Sequence, residues 1–287
     1  MKNRFFLPTL ILVLMTATAL SISCGHKSAS GHSTGGNDDD SSIDDDSDDD
    51  STDDDSTADD DADPRYFAVE VTDVEYGEQA GWGQSHFPDN VLGPPAGLGA
   101  DAQQMKETEV LSLGHGGRIT LRVGFEIVDQ DGPDFTVFEN AFYVGGDPVN
   151  CYTETAAVEV SQDGKNWVRF PMDYRPDGAG PVVYANPANF SGFAGVTPVY
   201  ANSDGGADPL DPAVSGGDSF DLADVGLAWA KYIRIIDTGS AVRAPGTEMY
   251  DDNGDLIDDS GNHSPPSGNK EGFDLDAVAV IHAGDPT

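Results

Sequence analysis

The chain has 287 residues, with 52 acidic side chains against 14 Lys and Arg and a formal net charge of −38. So large a negative surplus excludes nucleic acid and anionic membrane surfaces as partners and favours cations, cationic proteins or neutral ligands. Two cysteines, Cys24 and Cys151, are too few for a disulfide-stapled scaffold.

In chain order, Lys2 and Arg4 precede the apolar run 5-FFLPTLILVLMTATAL-20, and small residues lead to Cys24. A basic start, a short apolar stretch and a small-residue cleavage site predict a secretory signal over residues 1–23. The segment 20-LSIS-23 before Cys24 resembles the bacterial lipobox, although Ser21 stands where Leu is usual and Leu20 lies one residue further back. That resemblance implies acylation of Cys24, a membrane contact through the lipid anchor only, and an outer-membrane, cell-surface location. Cys151 is then left as a buried, inert thiol.

Residues 24–63 read as a disordered linker. The run 38-DDDSSIDDDSDDDSTDDDSTADDDAD-63 holds 16 Asp in 26 residues and almost nothing apolar, so it buries too little to offset chain entropy and repels itself into an extended spacer. The segment 31-GHSTG-35 fits a hydrolase serine motif, but that motif needs a strand-to-helix elbow, which low-complexity sequence does not supply. After Asp63, 36 acidic residues face 11 basic ones, a net charge near −25.

From Pro64 to Thr287 short alternating segments are broken by Gly, Pro, Asp and Asn, the pattern of an all-β sandwich or barrel. The predicted strands are 66–76, 118–128, 134–142, 156–162, 166–172, 232–237 and 274–282. Ile119, Leu121, Val123 and Phe125 share one face of the second, and Asp163-Gly164 marks a hairpin turn between the fourth and fifth. Only 221–231 hints at a helical turn. The stretches 77–110, 173–220 and 238–273 read as long loops, which in a compact β domain are functional or held by something.

The blocks 91-VLGPP, 111-LSLGHGGRITLRV, 131-DGPDFTVFENAF, 156-AAVEVSQDGKNWVRF, 216-GGDSFDLADVGLAWAKYIRIID and 271-EGFDLDAVAVI resemble, in order, a family of bacterial cell-surface lipoproteins of largely unassigned biochemistry. More distantly, the strand–Asp-Gly–strand hairpin and 232-YIRIID resemble discoidin-type, galactose-binding-like domains. These resemblances imply a jelly-roll β-sandwich, a noncatalytic surface module that recognises a glycan, and a structural calcium ion. Similar surface lipoproteins accompany corrinoid uptake, which implies an alternative: capture of a small nutrient such as cobalamin for an outer-membrane transporter. Adhesion to another surface protein and a glycan hydrolase are further alternatives.

On the predicted strand 134–142, Glu139 shares a face with Phe135 and Val137, so its carboxylate has to be paired, protonated or metal-bound. With Asp131 or Asp134 and a later Asp274 or Asp276, it is a candidate for a calcium site, since calcium takes six to eight oxygens. Pairing of Glu139 with Arg122 or Arg234 is the structural alternative. Asp251, Asn253 and Asp255 have the i, i+2, i+4 spacing of calcium loops, yet Leu256 replaces the usual Gly, Asn262 the usual Glu, and flanking helices are missing. Trp82, His86 and Phe87, on the Gly- and Pro-rich loop 80–99, are candidates to grip a flat ligand, or else to close the end of the sandwich. The histidines show no zinc spacing, and no Walker or dinucleotide motif is present.

Overall fold

The computed structural model describes residues 63–176, 184–202, 204–265 and 268–284. The expected signal segment, Cys24 and nearly all of the acidic linker lie outside the described residues. The strands are β1 (Ala68–Glu75), β2 (Leu111–Ser112), β3 (Arg118–Val128), β4 (Phe135–Glu139), β5 (Phe142–Tyr143), β6 (Cys151–Tyr152) and β7 (Ala156–Ser161). There follow β8 (Val168–Arg169), β9 (Asp173–Tyr174), β10 (Phe190–Ser191), β11 (Asp218–Phe220), β12 (Trp229–Asp237), β13 (Asp274–Val280) and β14 (Ala283–Gly284).

Among the described residues two main antiparallel sheets result, beside the two-stranded ribbons β5–β6 and β9–β10. One runs β1-β3-β12-β7-β8 with β14 added on β3; the other runs β11-β4-β13-β2. The chain passes back and forth between them, from β2 to β3 to β4 to β7 and again from β11 to β12 to β13, the winding of a jelly roll. The fold is therefore an all-β sandwich with long loops. Its seam is made by the faces that alternation predicts: Ile119, Leu121, Val123 and Ile127 of β3, Val158 and Val160 of β7, and Ile233 and Ile235 of β12. Against them pack Phe135 and Val137 of β4 and Leu275, Val278 and Val280 of β13. Phe125 departs from its predicted face and meets Tyr66, with ring centroids 4.9 Å apart.

β4 and β13 are buried along their whole length on both faces. The outer face of β4 carries Phe138, which meets Phe67, Val199, Ala201, Ala277 and Ala279, so a loop and the chain's entry segment cover what would otherwise be solvent side. This explains why an acidic strand can be central: its charged end lies under loops instead of in water.

The long stretch expected as one strand over 134–142 breaks after Glu139. Asn140 turns its amide to the carbonyl of Gln104 at 2.8 Å, and Phe142 resumes in a separate ribbon of β5 and β6. The hairpin turn is as its residues suggest: Asp163 accepts the N–H groups of Lys165 and Asn166 at 2.9 and 2.8 Å, and Gly164 adopts φ 71°, a left-handed conformation that favours glycine. Of the expected strand 166–172, Val168 and Arg169 pair with β7, and Phe170 adds one backbone bond, its N–H donating to Val158 at 3.0 Å. The helical hint over 221–231 is a single 3-10 turn, Leu222–Val225, capped by Asp221, and the chain is extended again by Trp229. Cys151 is buried, and burial pushes its thiol far above the usual range, which makes it unreactive.

Candidate functional site

The loops that cover the second sheet leave a cleft lined by Trp82, Gln103, Met105, Phe142, Tyr152, Glu154, Lys270 and Asp274. Its volume is about 140 Å³, against about 300–1,000 Å³ for pockets that enclose drug-sized ligands, so it admits a ring-sized group and not a macrocycle.

Each wall is set by the backbone. Trp82 is pinned between two segments: its N–H donates to Asn269 at 2.8 Å and its carbonyl accepts from Ser112 at 3.1 Å. Asn90 holds the loop beneath it, donating to the carbonyls of Gly83, Glu107 and Val110 at 3.1, 3.0 and 2.8 Å. Gly83 is required there, because a Cβ would lie 2.0 Å from the Val110 carbonyl oxygen. Phe142 and Tyr152 are cross-strand partners in the β5–β6 ribbon, with rings stacked at 5.5 Å. The Tyr152 hydroxyl donates to Ser264 at 3.0 Å. Lys270 places Nζ 3.3 Å from the centroid of the Trp82 ring.

The floor is acidic. Glu154 and Asp274 are 3% and 5% exposed. Asp274 accepts from the Ser112 hydroxyl and, at 3.0 Å, from Asn140. Burial pushes Asp274 up to about 6, against the pull of those two hydrogen bonds and of the Lys270 charge. Burial first, then Asp274 and Glu139, raise Glu154 well above the ordinary carboxylate range. Glu139 stands behind them, opposite Leu275 in the β4–β13 ladder and 1% exposed. Burial and Asp274 raise it in the same way, and among the described residues its Oε2 has no hydrogen-bond partner.

Deeper still is a polar knot. Asp237 accepts three backbone N–H groups, from Gly116, Gly239 and Phe273, at 2.7–2.8 Å. Asp259 accepts from the Thr155 amide at 2.7 Å and its hydroxyl at 3.0 Å, and burial pushes it up to about 7. His115 lies 3.6 Å from Glu271 in this region. These groups fasten the long loop 238–273 to the strands, which is how a loop of that length is held.

The sequence candidates are redistributed accordingly. Of Trp82, His86 and Phe87, only Trp82 lines the cleft; His86 is exposed, and Phe87 packs on the core with its ring 6.3 Å from Tyr76. Glu139 is brought beside Asp274 and is paired with neither arginine, since Arg122 binds Glu70 and Arg234 binds Glu159 while stacking on Trp167. Asp131 and Asp134 do not join it. Asp134 and Glu139 are five residues apart on an extended strand, roughly 16 Å at about 3.3 Å per residue, too far to share one ion. Asp131 is exposed at the turn. Asp276 points elsewhere and accepts the Ala96 N–H at 3.1 Å.

Asp251 uses its oxygens to close its own loop, accepting the N–H groups of Tyr174, Asn253 and Asp255 at 2.8–2.9 Å; Asn253 donates to Asp173 at 3.1 Å, and Asp255 is exposed. Among the described residues, the three carboxylates whose oxygens come within 4.8 Å of one another are Asp129, Asp134 and Asp221. That all-oxygen set suits a hard cation such as calcium. Asp134, however, already accepts from the amides of Gln130 and Leu222 at 3.0 and 2.8 Å and faces His282 Nδ1 at 2.8 Å, so an ion would share it with those groups.

Comparison with known proteins gives little. No protein-family model matches the chain, and no curated protein does. Among solved structures it aligns with CBM32-3 from a family 31 glycoside hydrolase from Clostridium perfringens, at 12% identity over 62% of this chain and 81% of that one, with a TM-score of 0.23. Among the described residues no helix is long and apolar enough to cross a membrane.

Phe142, Tyr152, Glu154, Lys270, Gln103 and Met105 carry no motif in the sequence. The one available signal was 151-CYTET-155, where an aromatic and a carboxylate two residues apart point the same way on an extended chain.

Proposed function

We propose that this protein is a noncatalytic ligand-binding module, presented outside the cell by the lipid anchor expected at Cys24, and that it recognises a glycan in the Trp82 cleft. The observation that carries this reading is the cleft itself: an indole on one side, the stacked Phe142 and Tyr152 rings among its walls, and Gln103, Glu154 and Asp274 as hydrogen-bonding partners. Flat apolar sugar faces pack on rings while hydroxyls need polar partners at the edge, and this cleft offers both. Its small volume disfavours enclosure of a corrinoid. Ser112 and Asn140 each donate to one Asp274 oxygen, which fixes the group as an acceptor with capacity left for a ligand and sets it apart from the freely titrating carboxylate pair of a hydrolase.

Glycan-array binding of the native chain and of Trp82→Ala tests this. Loss of the ring is expected to weaken binding by about tenfold or more, some 1.4 kcal/mol, with an unchanged melting temperature. Equal retention by the variant removes the cleft as the site, and new reducing ends released from a bound glycan remove the noncatalytic reading.

A structural calcium ion is a second part of the proposal, with Asp129, Asp134 and Asp221 as the residues that would hold it. Millimolar calcium is then expected to raise the melting temperature relative to excess chelator, and superimposable melts remove the ion.

A further inference from the structure

The cleft is lined by two carboxyl groups, Glu154 and Asp274, against one amine, Lys270, which bears on the ligand it takes. Glu154 and Asp274 lie on the floor with Glu139 behind them, all buried, and Lys270 is the one basic side chain lining the cleft. The Glu139 Oε2 atom has no hydrogen-bond partner among the described residues although it is inaccessible to bulk water. Glu139 does not itself line the cleft and acts on a ligand there only through Glu154 and Asp274 in front of it. The Trp82 ring already carries a cation, the chain's own Lys270 ammonium, 3.3 Å from its centroid.

The size of the cation can be bounded. A metal ion needs its oxygens within about 5 Å of one another, twice the calcium–oxygen distance of about 2.4 Å. Among the described residues that condition is met by Asp129, Asp134 and Asp221 and not by the carboxylates of this floor. An ammonium on a carbon frame is less demanding: it reaches a ring face from up to about 6 Å and donates to separate carboxylates, while its frame covers the apolar walls. The walls here are Met105, Phe142 and Tyr152, which a hydrated metal ion would leave uncovered.

We infer that the Trp82 cleft selects a sugar bearing a free, protonated amine, whose ammonium takes the place of the Lys270 ammonium between the indole face and the Glu154–Asp274 floor. This rests on the glycan-binding reading above and narrows it to amino sugars. Lys270 then acts as an internal competitor that occupies the aromatic face until the ligand displaces it.

The test is a calorimetric titration of the native chain, in low salt at about pH 7, with glucosamine, N-acetylglucosamine and glucose. The peptide α-amino group, an amine likewise flanked by an electron-withdrawing substituent, titrates near about 7.7–8.0, so such an amine is mostly protonated under those conditions. Glucosamine is expected to bind at least about tenfold more tightly than the two neutral sugars, with the preference shrinking as salt is raised. Glu154→Gln, checked for an unchanged fold, is expected to abolish the preference, and Lys270→Met to increase glucosamine affinity. Equal binding of the three sugars overturns the amine inference and leaves the glycan reading standing. Binding of none of them, together with an empty glycan array, overturns both. The comparison of three sugars on the native chain is decisive even if a variant fails to fold.

Discussion

Phe135→Ala is expected to cost about 4 kcal/mol, the middle of the range of about 3–5 for a buried phenylalanine. Phe135 is fully buried at the seam of the two sheets. Its ring stacks on Phe220 at 5.3 Å and meets Phe170 edge-on at 5.8 Å, and those two rings are 4.9 Å apart. The three come from β4, β11 and the segment after β8, so one deletion loosens both sheets and opens a cavity that rigid strands cannot close. For a domain of this size, 4 kcal/mol lowers the melting temperature by about 8–16 °C. Phe87→Ala, on the partly buried rim, is expected to cost well under half as much. Urea unfolding of both variants gives the comparison. A Phe135→Ala cost no larger than that of Phe87→Ala would show that the triple contact is not where the sandwich is held.

Stability is expected to fall as pH rises from about 5 to about 8, the reverse of ordinary acid lability. Burial pushes Asp276 up to about 8, Asp259 to about 7, and Asp218 and Asp274 to about 6, while Glu139 and Glu154 are raised well above their usual value. A carboxyl whose folded pKa is raised contributes stability that is fully present below its unfolded pKa, near 4. That stability is lost as pH rises to the folded pKa, because across the interval the unfolded chain binds fewer protons than the folded one. His115 acts in the same sense. Burial disfavours its imidazolium, but Glu271, Asp237 and Asp259 outweigh that and raise it, so its contribution too is lost with rising pH.

Each unit of displacement is worth about 1.4 kcal/mol, so these groups together put the difference between pH 5 and pH 8 at several kcal/mol. Below about pH 4 the trend turns over, because Asp251 is held low by the amides of Tyr174, Asp255 and Asn253 and loses that stabilisation when protonated. Melting curves across this range test the sign directly. Glu139→Gln, which keeps the shape and removes the charge, is expected to raise the melting temperature at pH 8 and leave it unchanged at pH 5. A melting temperature that rises steadily toward pH 8 would show that the buried acids are better compensated than their surroundings imply. An amino-sugar ligand is expected to offset part of the loss near pH 7, where its amine is still protonated, by supplying the missing positive charge.

The sequence by itself determined the fold class, the face of β3 that puts Ile119, Leu121 and Val123 in the seam, and the Asp163-Gly164 hairpin. Each of these is written in a local code: alternation with period two, and a turn residue whose backbone needs are met within four positions. It also identified Glu139 as a carboxylate in the wrong surroundings, because burial of a strand face follows from its neighbours in sequence. Tertiary structure alone decided what Glu139 faces. The arginines that alternation offered as partners lie in the other sheet and are engaged by Glu70 and Glu159. Asp274 is brought alongside by a β4–β13 ladder between segments about 135 residues apart. The cleft was illegible for the same reason. Trp82 and Lys270 come from two long loops and Phe142 and Tyr152 from the two strands of a short ribbon, and their positions follow from where Asn90, Asp237 and Asp259 tie those stretches down. Local patterning specifies which side of a strand is buried; which loops meet above it depends on packing that no short window of sequence contains.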